Sequence, residues 1–235
     1  MSRTRGITGL GAACALWAGG AHASELSYTF LDFLYLDQTV DVFGNQEPVP
    51  GQNVFVDSNA SDGIGIGGSL GIADRFFVGG SFVSSIVDVT ATVTSPLASI
   101  TVDDNYDLIA THLGFGYLQP IGDDLDFVAE LTYETMEYDF GSFAGENFDV
   151  DDSGLGARIG FRWNPNRALE LYAYSRVSPV GKVSLDQLKF ESDAVHRLGV
   201  IWYFFEDLGL GLDYESGQVD SFSVSMRFSF GNLQW

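Results

Sequence analysis

Arg158 and Arg162 sit four residues apart in SGLGARIGFRW, and Glu130 and Glu134 sit four apart in LDFVAELTYETMEY. Residues an even number apart on an extended strand share a face. The same parity sets Glu170, Arg176, Arg197, Asp213, Arg227 and Asp32 on the faces opposite their apolar neighbours. The set holds five guanidiniums and five carboxylates on segments that follow one another in the chain. Guanidinium matches carboxylate as a bidentate pair, and a confined interior makes an unpaired charge costly. The set therefore reads as a charge network inside a closed structure. It would serve either as a packed plug or as a charged constriction in a pore.

Other residues could do acid–base or metal chemistry. Asp103 and Asp104 are adjacent acids, and Asp193 lies three residues before His196. An acid pair with an Asp–His pair can activate a water by general base catalysis. A serine nucleophile would need a histidine and an acid, and no serine motif accompanies His112 or His196, so each reads as a pore-lining or rim histidine. Asp149, Asp151 and Ser153 before Gly154 echo the start of an oxygen-ligand calcium loop. Gly160 stands where the bidentate glutamate would be needed, so no metal is expected. No cofactor motif is present, and no enzymatic activity is expected.

These side chains need elements to hold them, and the first residues are not among them. MSRTR is basic, GITGLGAACALWAGG is apolar and small, and AHA precedes Ser24. This is the pattern of a secretory signal peptide over residues 1–23, cleaved after Ala23. The cysteine at position 14 lies inside it, as an apolar-region residue rather than a lipoprotein cleavage box. A mature chain of 24–235 would hold no thiol. With Arg3 and Arg5 lost, nine basic residues would face 32 acidic ones. The formal net charge of -21 argues against a nucleic-acid partner. Hydrophobic residues at 46% and aromatics at 14% argue against disorder.

From residue 26 the chain repeats a period of two. The expected strands cover about 26–40, 62–72, 76–87, 105–118, 125–138, 153–163, 168–177, 191–204, 208–215 and 219–230. Most are long enough for the ~9–11 residues that cross a bilayer as a strand. The links alternate. Long ones fall at 43–61, 88–104, 139–152 and 178–190, and short ones at ADR, QPIGDD, NPNR and the ED near 206. Such alternation suits a membrane barrel with short turns at one end and long loops at the other. A two-sheet soluble sandwich would explain neither the strand length nor the alternation. The expected fold is an all-β, up-and-down antiparallel transmembrane barrel of ten strands, with eight as the alternative.

The outer face should be apolar. In the last strand Phe222, Val224, Met226, Phe228 and Phe230 share one parity, and Ser223, Ser225, Arg227 and Ser229 the other. Trp163, Trp202, Tyr117, Tyr133 and Trp235 fall near strand ends, where aromatic girdles sit. Closing the last strand on the first should bring Arg227 to Asp32.

A signal peptide, Gly-rich alternating strands and an aromatic last strand resemble the small Gram-negative outer-membrane barrels, the OmpA-like and porin-like superfamily. The resemblance covers most of 26–235 and implies a cell outer membrane location. It implies outer-membrane lipid and lipopolysaccharide as surroundings, and assembly machinery that reads Phe222, Phe228, Phe230 and Trp235. Leu233 and Trp235 break the parity, so either a bulge at Gly231–Asn232 restores it or the signal ends at Phe230. The implied role is structural or that of a narrow pore. An adhesin acting through acidic external segments, TVDDNYD (101–107) and ENFDVDDSG (146–154), is the alternative. Ten strands also resemble the omptin outer-membrane proteases, for which Asp103, Asp104, Asp193 and His196 would serve. The oligomeric state is not legible.

Overall fold

The computed structural model describes residues 27–40, 53–94, 98–143, 146–184, 189–217 and 219–230. The expected signal segment 1–23, with Cys14, and Trp235 lie outside them.

Ten strands form one closed sheet in which each pairs antiparallel with its chain neighbours, and β1 pairs with β10. They are β1 (Phe30–Val40), β2 (Asn53–Ala73), β3 (Phe76–Thr94), β4 (Ser99–Pro120), β5 (Leu125–Phe143), β6 (Glu146–Asn166), β7 (Leu169–Ser184), β8 (Lys189–Phe205), β9 (Leu208–Ser216) and β10 (Val219–Ser229). Closure leaves no unpaired edge, which is the condition for a sheet to sit in lipid. The sandwich and the eight-stranded barrel are both excluded by this pairing.

The burial pattern is inverted relative to a soluble protein. Leu155 is 71% exposed, Ile64 68% and Trp202 60%. Glu170 is 1% exposed, Arg162 3% and Asp213 3%. Large apolar side chains cover the outside, and charged ones fill the inside. Water would not tolerate so broad an apolar belt, and a bilayer would. The barrel is membrane-spanning. Its near end carries the short turns and both described chain ends. Aromatics gather there on the outer face, with Phe76 5.5 Å from Tyr117 and Phe127 5.5 Å from Phe161 between ring centres.

The strands run further than expected at the far end. β4 is 22 residues long, and β2 and β6 are 21 each. At about 3.3 Å per residue such a strand exceeds what a tilted strand needs to cross an apolar band ~25 Å tall. The expected long links shrink accordingly, since β5 ends at Phe143 and β6 begins at Glu146. TVDDNYD and ENFDVDDSG are strand, not loop. Hairpin pairing continues beyond the belt because backbone hydrogen bonds do not require apolar side chains. This overturns the calcium-loop echo at Asp149, Asp151 and Ser153, because an extended β6 cannot wrap an ion.

Candidate functional site: a charge layer across the lumen

The site begins with register. Asp32 on β1 opposes Arg227 on β10, and Glu130 on β5 opposes Arg158 on β6. Alternation points all four inward. Arg227 donates Nε to Asp32 Oδ1 at 2.8 Å and Nη2 to Oδ2 at 2.7 Å, the bidentate form. Its guanidinium also lies 3.7 Å from the centre of the Phe30 ring.

The layer crosses the barrel. Arg227 Nη1 donates to Glu170 Oε1 of β7 at 3.3 Å. Glu170 accepts from Arg162 Nε of β6 at 2.9 Å and from the Tyr203 hydroxyl of β8 at 3.1 Å. One carboxylate thus ties β6, β8 and β10 to β7. Few of its lone pairs are left unused, which offsets the cost of burying the charge.

Below this layer the chain itself enters the near mouth. Arg162 Nη2 donates to the Ser27 carbonyl at 3.2 Å, although β6 stands opposite β1 in the ring. Tyr28 reaches across to donate its hydroxyl to Asp126 on β5 at 2.9 Å. Arg162 stacks 4.2 Å from the Tyr28 ring centre. Tyr28, Phe77, Leu118 and Val128 form a buried apolar cluster beside it. Burial in this cluster pushes the Tyr28 phenol above its ordinary range, against the opposing Arg162 guanidinium, and Asp126 adds to the rise. Ser27–Thr29 therefore form a strap across the mouth.

Above the layer lies a more open region. Glu130 pairs with Arg158, and His112 Nε2 stands 3.7 Å from the same carboxylate. Glu134 accepts from Ser178 at 2.6 Å and Thr132 at 2.8 Å, with Arg176 at 3.6 Å. Arg176 also meets Glu215 at 3.0 Å, and Arg197 donates to Asp213 at 2.9 Å. A cavity of about 160 Å³ occupies this half. A second of about 110 Å³ lies toward the near end, and Arg158, His112, Tyr174 and Arg197 border both.

All ten charged residues singled out in the sequence point into the lumen. Two pairings differ from the expected neighbours. Glu134 opposes Gly154 rather than an arginine, and turns to β7. Arg162 opposes Asp126 in register but pairs with Glu170 on the next strand. Sequence reasoning missed Asp126, Glu215, Tyr28 and Tyr203. Parity could have found the two acids, since Asp126 shares the face of Glu130 and Glu215 that of Asp213.

His196 is not a lumen residue. It faces outward on β8, 2.9 Å through Nδ1 from Ser175 Oγ, while Asp193 has the opposite parity. The Asp193–His196 pair required for an omptin-like mechanism is therefore split between faces. Asp103 and Asp104 lie within β4. Among the described residues, His112 is the histidine of the lumen.

No family model matches the chain, and no curated protein matches it. Solved structures similar to it are outer-membrane barrels. The beta domain of the Bordetella autotransporter BrkA is 12% identical over 87% of this chain and 99% of its own, with a TM-score of 0.46. An outer-membrane channel from Pseudomonas putida F1 is 12% identical over 92% and 100%, with a TM-score of 0.44. The outer membrane protein OprG from Pseudomonas aeruginosa is 12% identical over 89% and 99%, with a TM-score of 0.41. The fold of this chain rests on its own strand pairing. Phe222, Phe228 and Phe230 share the outer face of the last strand segment, Phe228 and Phe230 at its near end, with Phe222 and Phe230 exposed.

Proposed function

We propose that this chain is a Gram-negative outer-membrane barrel that provides a narrow, normally closed path for small solutes. The near end faces the periplasm, and lipid and lipopolysaccharide surround the apolar belt. Outward Phe222, Phe228 and Phe230 are the part of the last strand that assembly machinery would read. The carrying observation is the chain of contacts from Asp32 through Arg227 and Glu170 to Arg162, which spans the lumen and lines the smaller, near-end cavity. Ten strands leave little room beyond side chains, so a path opens only where this layer parts.

The test is swelling of liposomes loaded with the refolded protein, in solutions of small sugars and amino acids. The wild type should swell slowly and Arg227→Ala fast. Equal, rapid swelling of both would show that the layer does not close the path. A second reading, surface recognition, is favoured by the acidic runs carried beyond the belt on β4 and β6. Shortening those two hairpins would abolish cell or matrix attachment under that reading and leave swelling unchanged.

A further inference from the structure

The far half of the lumen has two unlike surfaces facing one cavity. One is apolar, with Leu34 and Leu36 of β1, Val83 of β3 and Ala110 of β4. The other carries Arg158, Arg176 and Arg197 on the successive strands β6, β7 and β8. Charge is nearly balanced in number but not in exposure. The three arginine side chains are 21%, 22% and 31% exposed, whereas Glu130, Glu134 and Asp213 behind them are 0%, 4% and 3%. Glu215 is the exception at 27%, and Arg176 holds it at 3.0 Å. The surface a ligand would meet is therefore largely guanidinium.

Register sharpens the point. Arg158 and Arg176 are direct cross-strand partners. Like charges placed opposite one another destabilise a sheet. Departures from such a local rule concentrate where a site is built. An anion placed among these guanidiniums would relieve that contact.

We propose that this cavity binds a small amphipathic carboxylate, with its head on Arg158, Arg176 and Arg197 and its apolar body against Leu34, Leu36, Val83 and Ala110. Size agrees, because a cavity of about 150 Å³ admits a benzene-sized molecule, and this one measures about 160 Å³. Arginine forks suit a carboxylate, and the opposite wall offers an alkyl chain relief from water. The proposal deepens the solute path by naming what the far half of that path selects.

The test is isothermal titration of the refolded protein in lipid nanodiscs, with empty nanodiscs as baseline. The probes are hexanoate, hexylammonium and acetate. Hexanoate should bind saturably, hexylammonium should not, and acetate should bind at least tenfold more weakly. Arg176→Gln should weaken hexanoate about tenfold or more, as expected for one charged contact of at least ~1.4 kcal/mol. Leu34→Gln leaves every ion pair in place and should weaken hexanoate while sparing acetate. Identical titration by hexanoate and hexylammonium overturns the site. So does heat that tracks empty nanodiscs, or unchanged hexanoate affinity in both variants. Saturable hexanoate binding with no swelling by Arg227→Ala would retain the site and remove the path. Swelling by Arg227→Ala without hexanoate binding would do the reverse.

Discussion

The two walls of the lumen are built from different residues. Among the described side chains, β2, β3 and β4 send no Asp, Glu, Lys or Arg inward, and present Gly, Ser, Val, Leu, Phe77 and His112. β5 to β10 send in Asp126, Glu130, Glu134, Arg158, Arg162, Glu170, Arg176, Arg197, Asp213, Glu215 and Arg227. The neutral wall is hollow where the charged wall is long. A Cβ at Gly114 on β4 would run into the Glu130 carboxylate. Glycine there gives Glu130 room to lie over the adjacent strand while it meets Arg158 on the other side. Gly160 on the charged wall has another reason: a Cβ would meet the Ala173 carbonyl and the Tyr174 ring. The contrast shows how ten strands can be filled by charge. Where the neutral wall meets the charged one, its glycine recedes so that a long acid can lie beside its partner.

The largest break in this contrast is Arg227→Ala. It leaves Asp32 and part of Glu170 uncompensated inside, and removing one member of a buried pair typically costs about 3–5 kcal/mol. The urea midpoint of the refolded barrel in vesicles should fall accordingly, and a midpoint equal to the wild type would contradict the layer. Next come matched glycine substitutions on the two walls. Gly160→Ala presses on backbone and should cost about 1–3 kcal/mol. Gly114→Ala displaces the Glu130 carboxylate from its buried pair with Arg158 and should cost at least as much, so the order of the two midpoints is the measurement. Tyr28→Phe removes the donor to Asp126 and should lower the midpoint by about 1 kcal/mol. Hydrogen exchange should also rise at Ser27–Thr29, since the strap loses one tie. The smallest effect belongs outside: Asp151→Asn, exposed on β6, should leave both the midpoint and solute flux unchanged.

Much of this was legible in the chain. A period of two is a strong signal when one face meets lipid and the other a filled lumen, so all ten strands and their inward parities could be read. Asp32, awkward between Phe30 and Leu34, still fell to the correct face. Strand ends were not legible. Apolar alternation fades at the edge of the belt, yet VTATVT in β3 goes on pairing with SITVDD in β4. Partner choice was legible only between adjacent positions. Asp32 with Arg227 and Glu130 with Arg158 follow from closure and register. Arg227 with Glu170 does not, because a contact across the lumen depends on side-chain reach rather than parity. Tyr28 shares the parity of Asp32 within the expected strand 26–40, but its bond to Asp126 across the mouth depends on side-chain reach, not parity. His196 shows the reverse hazard: its chemistry suggested a site with Asp193, and parity alone sets it on the other face.

The most direct test of the closed layer is single-channel conductance in planar bilayers, wild type beside Arg227→Ala. The wild type should be quiet apart from rare, brief openings, and Arg227→Ala should conduct steadily. Steady, equal conductance in both proteins would mean that the contacts from Asp32 to Arg162 do not obstruct the lumen.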